Sequence, residues 1–397
     1  MSKVIVVGAG FSGAVIARKI ADELGLPVDV VEKRSQIAGN MYDQMDEHGI
    51  RVHMYGPHVL VTDRWSIMEY LSRFSDFYKH VVKELSFIDN HYVRLPFNFE
   101  SVQEMLGEAR AESLINKLRK KYRGYDRVPV LQLANDADPE ISSWGNLLFD
   151  KAYKTYCAKQ WDVPVETLDK TIMDRVPMAI SYEERYMKRD FQFLPSDGYT
   201  ALFQNMLSHP LIHVHLGEDA NIHLTLDDET KGITYDGEKV DLLVYTGPVD
   251  ELFSLKYGEL PYRSLHITYE WFDKERMYPE EIISYPQAKG YTRKTEYKYM
   301  MENPAACQGT LIATEYPVAY VKGGPDAPFY PVITDETKKR HNKYCEEAAS
   351  YGNIFLSGRL ADFRYYNMDD CILHAFDVFD KISDYMKTAD CIIKLNT

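Results

Sequence analysis

Apolar residues follow three rhythms along this chain. Short apolar-rich runs, Val4 to Val7, Val28 to Val31, Val240 to Tyr245 and Ile354 to Leu356, each stop at a turn former or an acid: Gly8, Glu32, Thr246-Gly247-Pro248 and Ser357-Gly358. Runs this short, apolar on both faces, predict buried strands, and the stretch from Val4 to about Val61 reads as the βαβ start of a doubly wound α/β domain. A second rhythm has helix spacing. From about Ser101 to Lys159, Leu114, Ile115, Leu118 and Tyr122 recur with charges between them; Gly198 to Leu207 forms another helix, and Met368 to about Met386 turns Ile372, Phe376, Phe379 and Ile382 inward. The third is alternation, over Ser264 to Trp271, Glu280 to Tyr285 and Gly309 to Tyr316, which predicts antiparallel strands of a separate sheet. Arg127 to Glu140 is a polar, Pro-containing break in the helical stretch. Asp162 to Glu184 has no regular pattern and, beside a helical lobe, is expected to act as a mobile flap over a site. There is no internal repeat.

The first strand runs into Gly8-Ala9-Gly10-Phe11-Ser12-Gly13, and Glu32 closes the next strand. Gly8 allows the tight turn, Gly10 lets a pyrophosphate approach the backbone, and Gly13 lets the helix pack on its strand. The start of that helix attracts phosphate. Glu32 is placed to accept from ribose hydroxyls, whereas a phosphorylated ribose would want a basic residue there. An adenine dinucleotide without a 2'-phosphate is the expected ligand. The continuation Glu32-Lys33-Arg34-Ser35-Gln36-Ile37-Ala38-Gly39-Asn40 resembles the extension after the ribose acid in flavoproteins related to glutathione reductase and amine oxidases, with Ala38 in place of the first of two glycines. That resemblance favours FAD over a nicotinamide.

At 397 residues and 45% hydrophobic, the chain is too long for one ordinary core and predicts two or three globular domains. Its net charge of -14, with no long Lys/Arg tract, argues against a nucleic acid or an anionic membrane as partner. No stretch has the length of a membrane span, and Met1-Ser2-Lys3 leads straight into the first strand, so a cytoplasmic protein without membrane insertion is expected. Cys157, Cys307, Cys345, Cys371 and Cys391 are odd in number and lack zinc spacing, which predicts thiols and no metal. The 30 tyrosines stand out beside four tryptophans; most must be packing residues with a wet tip, and a subset could line a nucleotide and phosphate cleft.

Specific stretches then narrow the reading: Glu32 to Tyr42, Tyr55-Gly56-Pro57-His58, Leu95-Pro96-Phe97-Asn98, Tyr156 with Lys159-Gln160-Trp161, Arg175-Val176-Pro177, Tyr245-Thr246-Gly247-Pro248, Tyr262-Arg263-Ser264-Leu265, Tyr291-Thr292-Arg293, Phe329-Tyr330-Pro331, and Gly358-Arg359-Leu360-Ala361 with Tyr365-Tyr366. In this order they resemble the flavin-dependent UDP-galactopyranose mutases, from Val4 to about Phe379. The resemblance implies a Rossmann-like FAD-binding domain (1–85, 195–250 and 335–397), an inserted helical lobe (86–160) and an antiparallel β-sheet domain that takes substrate (161–194 and 251–334). It also implies a homodimer, and a pyranose-to-furanose ring contraction of a nucleotide sugar through an adduct at N5 of reduced flavin, without net redox change, supplying furanose for surface polysaccharide. Such chemistry asks the protein for orientation and charge rather than a strong side-chain acid or base.

By the same resemblance Arg175 and Arg293 grip the leaving diphosphate, Tyr186, Tyr330 and Tyr365 donate to its phosphates, and Tyr156 and Trp161 lie near uridine and sugar. His58 and Arg359 reach the flavin, Arg359 having a salt bridge to Asp362 as its competing role. Gly8, Gly10, Phe11, Ser12, Gly13, Glu32, Lys33, Gly39, Asn40, Asn367 and Met368 complete the cofactor contacts. Four positions depart from the family pattern: Val61, Cys157, Asn367, and Ser284, which falls near an expected sugar-pocket asparagine. Altered polar groups in a pocket change which hydroxyl it recognises. The sugar therefore stays open between galactose and a relative such as dTDP-fucose or an N-acetylated hexose. An FAD oxidoreductase of the amine oxidase type and a noncatalytic flavin-binding protein are the competing classes.

Overall fold

The computed structural model describes residues 3–162, 176–324 and 326–395. Its centre is a five-stranded parallel sheet in the order Ile212–Leu216, Val28–Glu32, Val4–Val7, Leu242–Tyr245, Ile354–Leu356. The short apolar runs belong here because helices cover both faces. Val4 and Val6 pack toward Ala14, Leu202, Phe203 and Ile372, on the helices Phe11–Lys19, Gly198–Leu207 and Met368–Leu395. Ile5, pointing the other way as strand geometry demands, joins Leu243, Tyr344 and Ala348, the last two on the helix Asp335–Tyr351. A three-stranded antiparallel sheet, Leu224–Leu226, Ile233–Tyr235 and Glu238–Lys239, closes that side.

The helical lobe comprises Phe99–Leu106, Glu108–Lys121, Val130–Ala134, Pro139–Leu148 and Lys154–Trp161, packed around Val102, Leu114, Leu118, Ile141, Trp144 and Leu148. Its first helix starts at a capping box: the Asn98 side chain accepts from Ser101 N, and Ser101 Oγ accepts from Asn98 N. The break at 127–140 is less irregular than its composition suggests. It holds the strand Arg127–Val128, paired with Met178–Ala179, and the helix Val130–Ala134.

The antiparallel strands assemble into a seven-stranded sheet ordered Tyr330–Pro331, Tyr262–Phe272, Thr310–Ala319, Arg293–Glu296, Ile282–Ser284, Glu84–Ile88, His91–Leu95. One neighbour pair, Ile282–Ser284 with Glu84–Ile88, is parallel. The last two strands in this order, Glu84–Ile88 and His91–Leu95, come from the stretch placed by sequence at the border of the cofactor domain and the helical lobe. Phe191–Pro195, placed by sequence with the substrate sheet, instead pairs with Leu60–Thr62 and Phe77–Lys79 in a separate three-stranded sheet. Register is what matters for function. Glu315 faces Arg293, Arg293 faces Ser284, and Ser284 faces Ser86. Directly paired residues share a sheet face, so these four side chains form one polar row across four strands. No helix among the described residues is long and apolar enough to cross a membrane.

Candidate active site

The glycines at the mouth of the parallel sheet stand where side chains cannot. Gly8 has φ +100°, and a Cβ there would lie 2.1 Å from Thr246 Oγ1; a Cβ on Gly13 would lie 1.9 Å from Gly8 O. Gly39 crosses so near Gly10 that its Cβ would come 3.0 Å from Gly10 Cα. Bare backbone thus faces a groove of ≈ 490 Å³ whose walls include Gly8, Gly10, Phe11, Ser12, Glu32, Lys33, Gly39, Asn40, Arg359, Asn367 and Met368. Gly13 sits behind this wall, holding helix to strand. Glu32 Oε2 accepts from Ala9 N and Oε1 from Arg34 N, both at 2.9 Å, which fixes the carboxylate and leaves a lone pair on each oxygen for a ribose. Lys33 forms an ion pair with Asp219 at 2.8 Å on the groove wall.

Arg34 was not singled out by sequence. Its guanidinium lies 4.4 Å from the Tyr55 ring centroid and donates to Asn40 Oδ1 at 2.9 Å, while its buried Nη1 has no partner. Buried donors are rarely left in that state, and an acceptor in the groove would satisfy it. The glycine cradle, the anchored acid and this orphan donor fit a dinucleotide.

A second cavity of ≈ 180 Å³ lies between the helical lobe and the seven-stranded sheet, and Tyr156, Trp161, Tyr186, Ser284, Arg293, Tyr330 and Tyr365 all line it. Tyr330 and Tyr365 stack at 5.1 Å between ring centroids, with Trp161 edge-on at 6.0 and 6.3 Å. Arg359 links the two cavities. It belongs to the groove wall, and its Cζ lies 5.1 and 5.0 Å from the Tyr330 and Tyr365 ring centroids, within cation–π range. The competing salt bridge to Asp362 is not formed: Asp362 accepts from Gly358 N at 2.8 Å and pairs with His374 at 3.0 Å, while Arg359 Nη2 donates to Tyr366 O at 2.5 Å. The short Gly358–Asp362 turn commits that carboxylate to its own backbone and turns the guanidinium away.

Arg293 is already engaged. Its Nε donates to Glu315 Oε1 at 2.8 Å and its Nη2 to Glu315 Oε2 at 2.9 Å, a bidentate pair that leaves Nη1 for another acceptor. Burial disfavours its charge, yet Glu315 outweighs this and holds the arginine firmly protonated. Gly56 lies against this pair; a Cβ there would come 3.7 Å from Arg293 Nη2. His58, two residues on, donates its backbone N–H to His53 Nδ1 at 3.0 Å. Burial pushes the His58 imidazole well below its ordinary pKa, so it is neutral, and its Nδ1 has no well-formed hydrogen bond. Arg175, together with most of the expected flap, lies outside the described residues.

Glu84 and Glu315, both in the walls of the second cavity, were missed by sequence. Glu84 is 6% exposed, accepts from Ser284 Oγ, and is pushed up to about 7 by burial. Single acids without a local motif give no signal in the chain. Only the alternation of their strands, joined to a known register, would have placed them opposite Arg293 and Ser284.

Fold and site together define an α/β protein in which a dinucleotide-binding groove is separated by Arg359 from a pocket lined by aromatic rings and a buried Arg293–Glu315 pair. A family model described as UDP-galactopyranose mutase matches residues 151–365, and one for an NAD(P)-binding Rossmann-like domain matches residues 6–74. The chain belongs to the UDP-galactopyranose mutase family. It is 31% identical to a UDP-galactopyranose mutase of Mycoplasma pneumoniae, covering 93% of both chains, and 30% identical to a dTDP-fucopyranose mutase of Escherichia coli, covering 95% of this chain and 97% of that one. Among solved structures it is similar to reduced UDP-galactopyranose mutase, with TM-score 0.75 at 16% identity, over 97% of this chain and 94% of that one.

Proposed function

We propose that this chain interconverts the pyranose and furanose forms of a UDP-linked galactose, using FAD held in its reduced form. One observation carries the reading: Arg359, on the wall of the dinucleotide groove, lies 5.1 and 5.0 Å from the Tyr330 and Tyr365 rings that line the aromatic, arginine-bearing pocket, so one side chain separates the two ligand spaces. Gly8, Gly10, Ser12, Gly39 and the start of the Phe11–Lys19 helix would hold the FAD pyrophosphate, and Glu32 its ribose. Reduced FAD supplies an electron-rich ring for a rearrangement that consumes no reductant. The protein's own task is to hold the diphosphate as the anomeric C–O bond breaks, keep it in place while the sugar ring reopens and closes, and return it to the same carbon. Nη1 of Arg293 provides fixed positive charge for this. Burial pushes the Tyr156 and Tyr330 phenols well above their ordinary pKa, so at neutral pH both remain O–H donors toward phosphate or sugar oxygens. Trp161 offers a flat face for a base. Arg359, on the groove wall beside the Tyr330 and Tyr365 rings, would favour negative charge on a cofactor ring held next to it.

A second reading, a mutase of a related nucleotide sugar such as dTDP-fucopyranose, draws support from the comparable identity to the Escherichia coli relative and from Ser284 in the pocket wall. The test is a panel of UDP-galactopyranose, UDP-galactofuranose and dTDP-fucopyranose incubated with dithionite-reduced enzyme and read by product chromatography. Isomerisation of a UDP-galactose form without loss of reductant is expected. Stoichiometric oxidation of the sugar would refute both mutase readings.

A further inference from the structure

The polar row on the seven-stranded sheet does not end at the arginine. Beyond Arg293 it continues through Ser284 to Ser86, with Glu84 two residues earlier on the same strand and therefore on the same face. All three are buried, at 6%, 2% and 6% exposure for Ser284, Ser86 and Glu84, and Leu95, Phe97 and Pro286 supply apolar wall around them. Ser284 Oγ donates to Glu84 Oε1; among the described residues no protein group donates to Oε2. The nearby guanidinium does not neutralise this acid by direct pairing, because Arg293 has given its fork to Glu315. Among the described residues, the charged side chains lining the cavity are Glu84, Glu315 and Arg293, two acids to one base.

We propose that Glu84 sets sugar specificity: its Oε2 accepts a hydrogen bond from a hydroxyl or amino group of the hexose, and its charge rejects nucleotide sugars whose ring carries a carboxylate. This rests on the nucleotide-sugar reading above and narrows it to neutral or amino hexoses. A buried acceptor with an open lone pair costs free energy when a substrate offers no donor, and a buried acid facing a uronate costs more, so one residue both attracts and rejects. Because burial holds this carboxyl near pH 7, the rejection weakens as the pocket is acidified.

The test measures binding of UDP, UDP-galactose and UDP-galacturonic acid to the oxidised FAD-bound protein by titration calorimetry at pH 8 and pH 6, for wild type, Glu84→Gln and Glu84→Ala. At pH 8 wild type is expected to bind UDP-galacturonic acid at least about tenfold more weakly than UDP-galactose, the ratio shrinking at pH 6. In Glu84→Gln the ratio falls to within about threefold and loses its pH dependence, while the UDP affinity stays within about twofold of wild type. Glu84→Ala loses about tenfold for UDP-galactose and little for UDP. An unchanged ratio in Glu84→Gln, or equal loss of UDP and UDP-galactose in both variants, overturns the assignment of Glu84 alone. Wild type that binds neither UDP nor UDP-galactose overturns the nucleotide-sugar reading and takes this inference with it.

Discussion

Replacing Arg293 by alanine removes the proposed diphosphate grip and also strands Glu315, which is 2% exposed and held through both oxygens at 2.8 and 2.9 Å. Breaking a buried ion pair from one side costs about 3 to 5 kcal/mol, because the surviving charge has neither water nor partner, whereas replacing both members with apolar groups of similar size is close to neutral. Against a total stability of about 5 to 15 kcal/mol, a truncation that leaves the buried Glu315 unpaired is severe. We therefore expect Arg293→Ala to be destabilised by about 3 kcal/mol or more, Glu315→Ala by less because the arginine it leaves is 22% exposed, and Arg293→Met/Glu315→Leu to recover most of the larger loss, giving a coupling of a few kcal/mol. The double variant should still lose catalysis by about 2 to 4 kcal/mol of transition-state stabilisation, the cost of deleting one electrostatic donor. Urea midpoints of FAD-saturated protein, followed by far-UV circular dichroism and flavin fluorescence, measure the first effect; single-turnover isomerisation by reduced enzyme measures the second. Single-site losses below about 1 kcal/mol that simply add in the double variant would refute the buried-pair argument. A double variant that is stable and fully active would remove Arg293 from the chemistry.

Glu84 links stability to pH. Its carboxyl is raised from 4.5 to about 7 in the folded protein, so the fold keeps a proton that the unfolded chain releases, and the contribution present below pH 4.5 is lost as pH rises to 7. At 1.36 kcal/mol per unit this is about 3 kcal/mol, so the stability difference between wild type and Glu84→Gln should change by that order between pH 4.5 and pH 8; a difference flat with pH would count against it. Gly13→Ala puts a methyl group 1.9 Å from Gly8 O, which must displace the turn under the pyrophosphate. Overpacking of this kind costs about 1 to 3 kcal/mol, so FAD should bind about tenfold more weakly or worse; protein purified yellow with full cofactor would contradict it.

Four of the five strands of the parallel sheet were legible because each is an apolar-rich run ended by a turn former or an acid, a signal that lies within a few residues; the fifth, the edge strand Ile212–Leu216, alternates with histidines and gave no such run. The helix Gly198–Leu207 likewise matches its sequence bounds, since apolar spacing decides it locally. Where pairing is long-range the chain says less. Glu84–Ile88 carries no alternation strong enough to declare itself, and its partner strand Ile282–Ser284 lies about 200 residues away, as the Ser284–Glu84 hydrogen bond shows. The aromatic and arginine members of the pocket were recognisable because they sit in short shared motifs such as Tyr291-Thr292-Arg293. Glu315 and Glu84 sit in no such motif, so the acids that engage Arg293 and face the sugar end emerge only when strands are laid side by side. The helix Asp335–Tyr351 did carry a local sign in the chain, the capping box between Thr334 and Thr337.

The polar row drawn from Glu315 through Arg293 and Ser284 to Ser86 makes this pocket a matter of alignment as much as of composition. Inserting or deleting one residue within any of those strands would turn that strand's side chains to the opposite surface of the sheet and take its rung out of the row, Glu84 and Ser86 together where they share a strand. Exchanging a single rung leaves the others in place. New sugar preferences can therefore arise in this scaffold through point replacement at 84, 86 or 284, while length changes are confined to the connections outside the ladder.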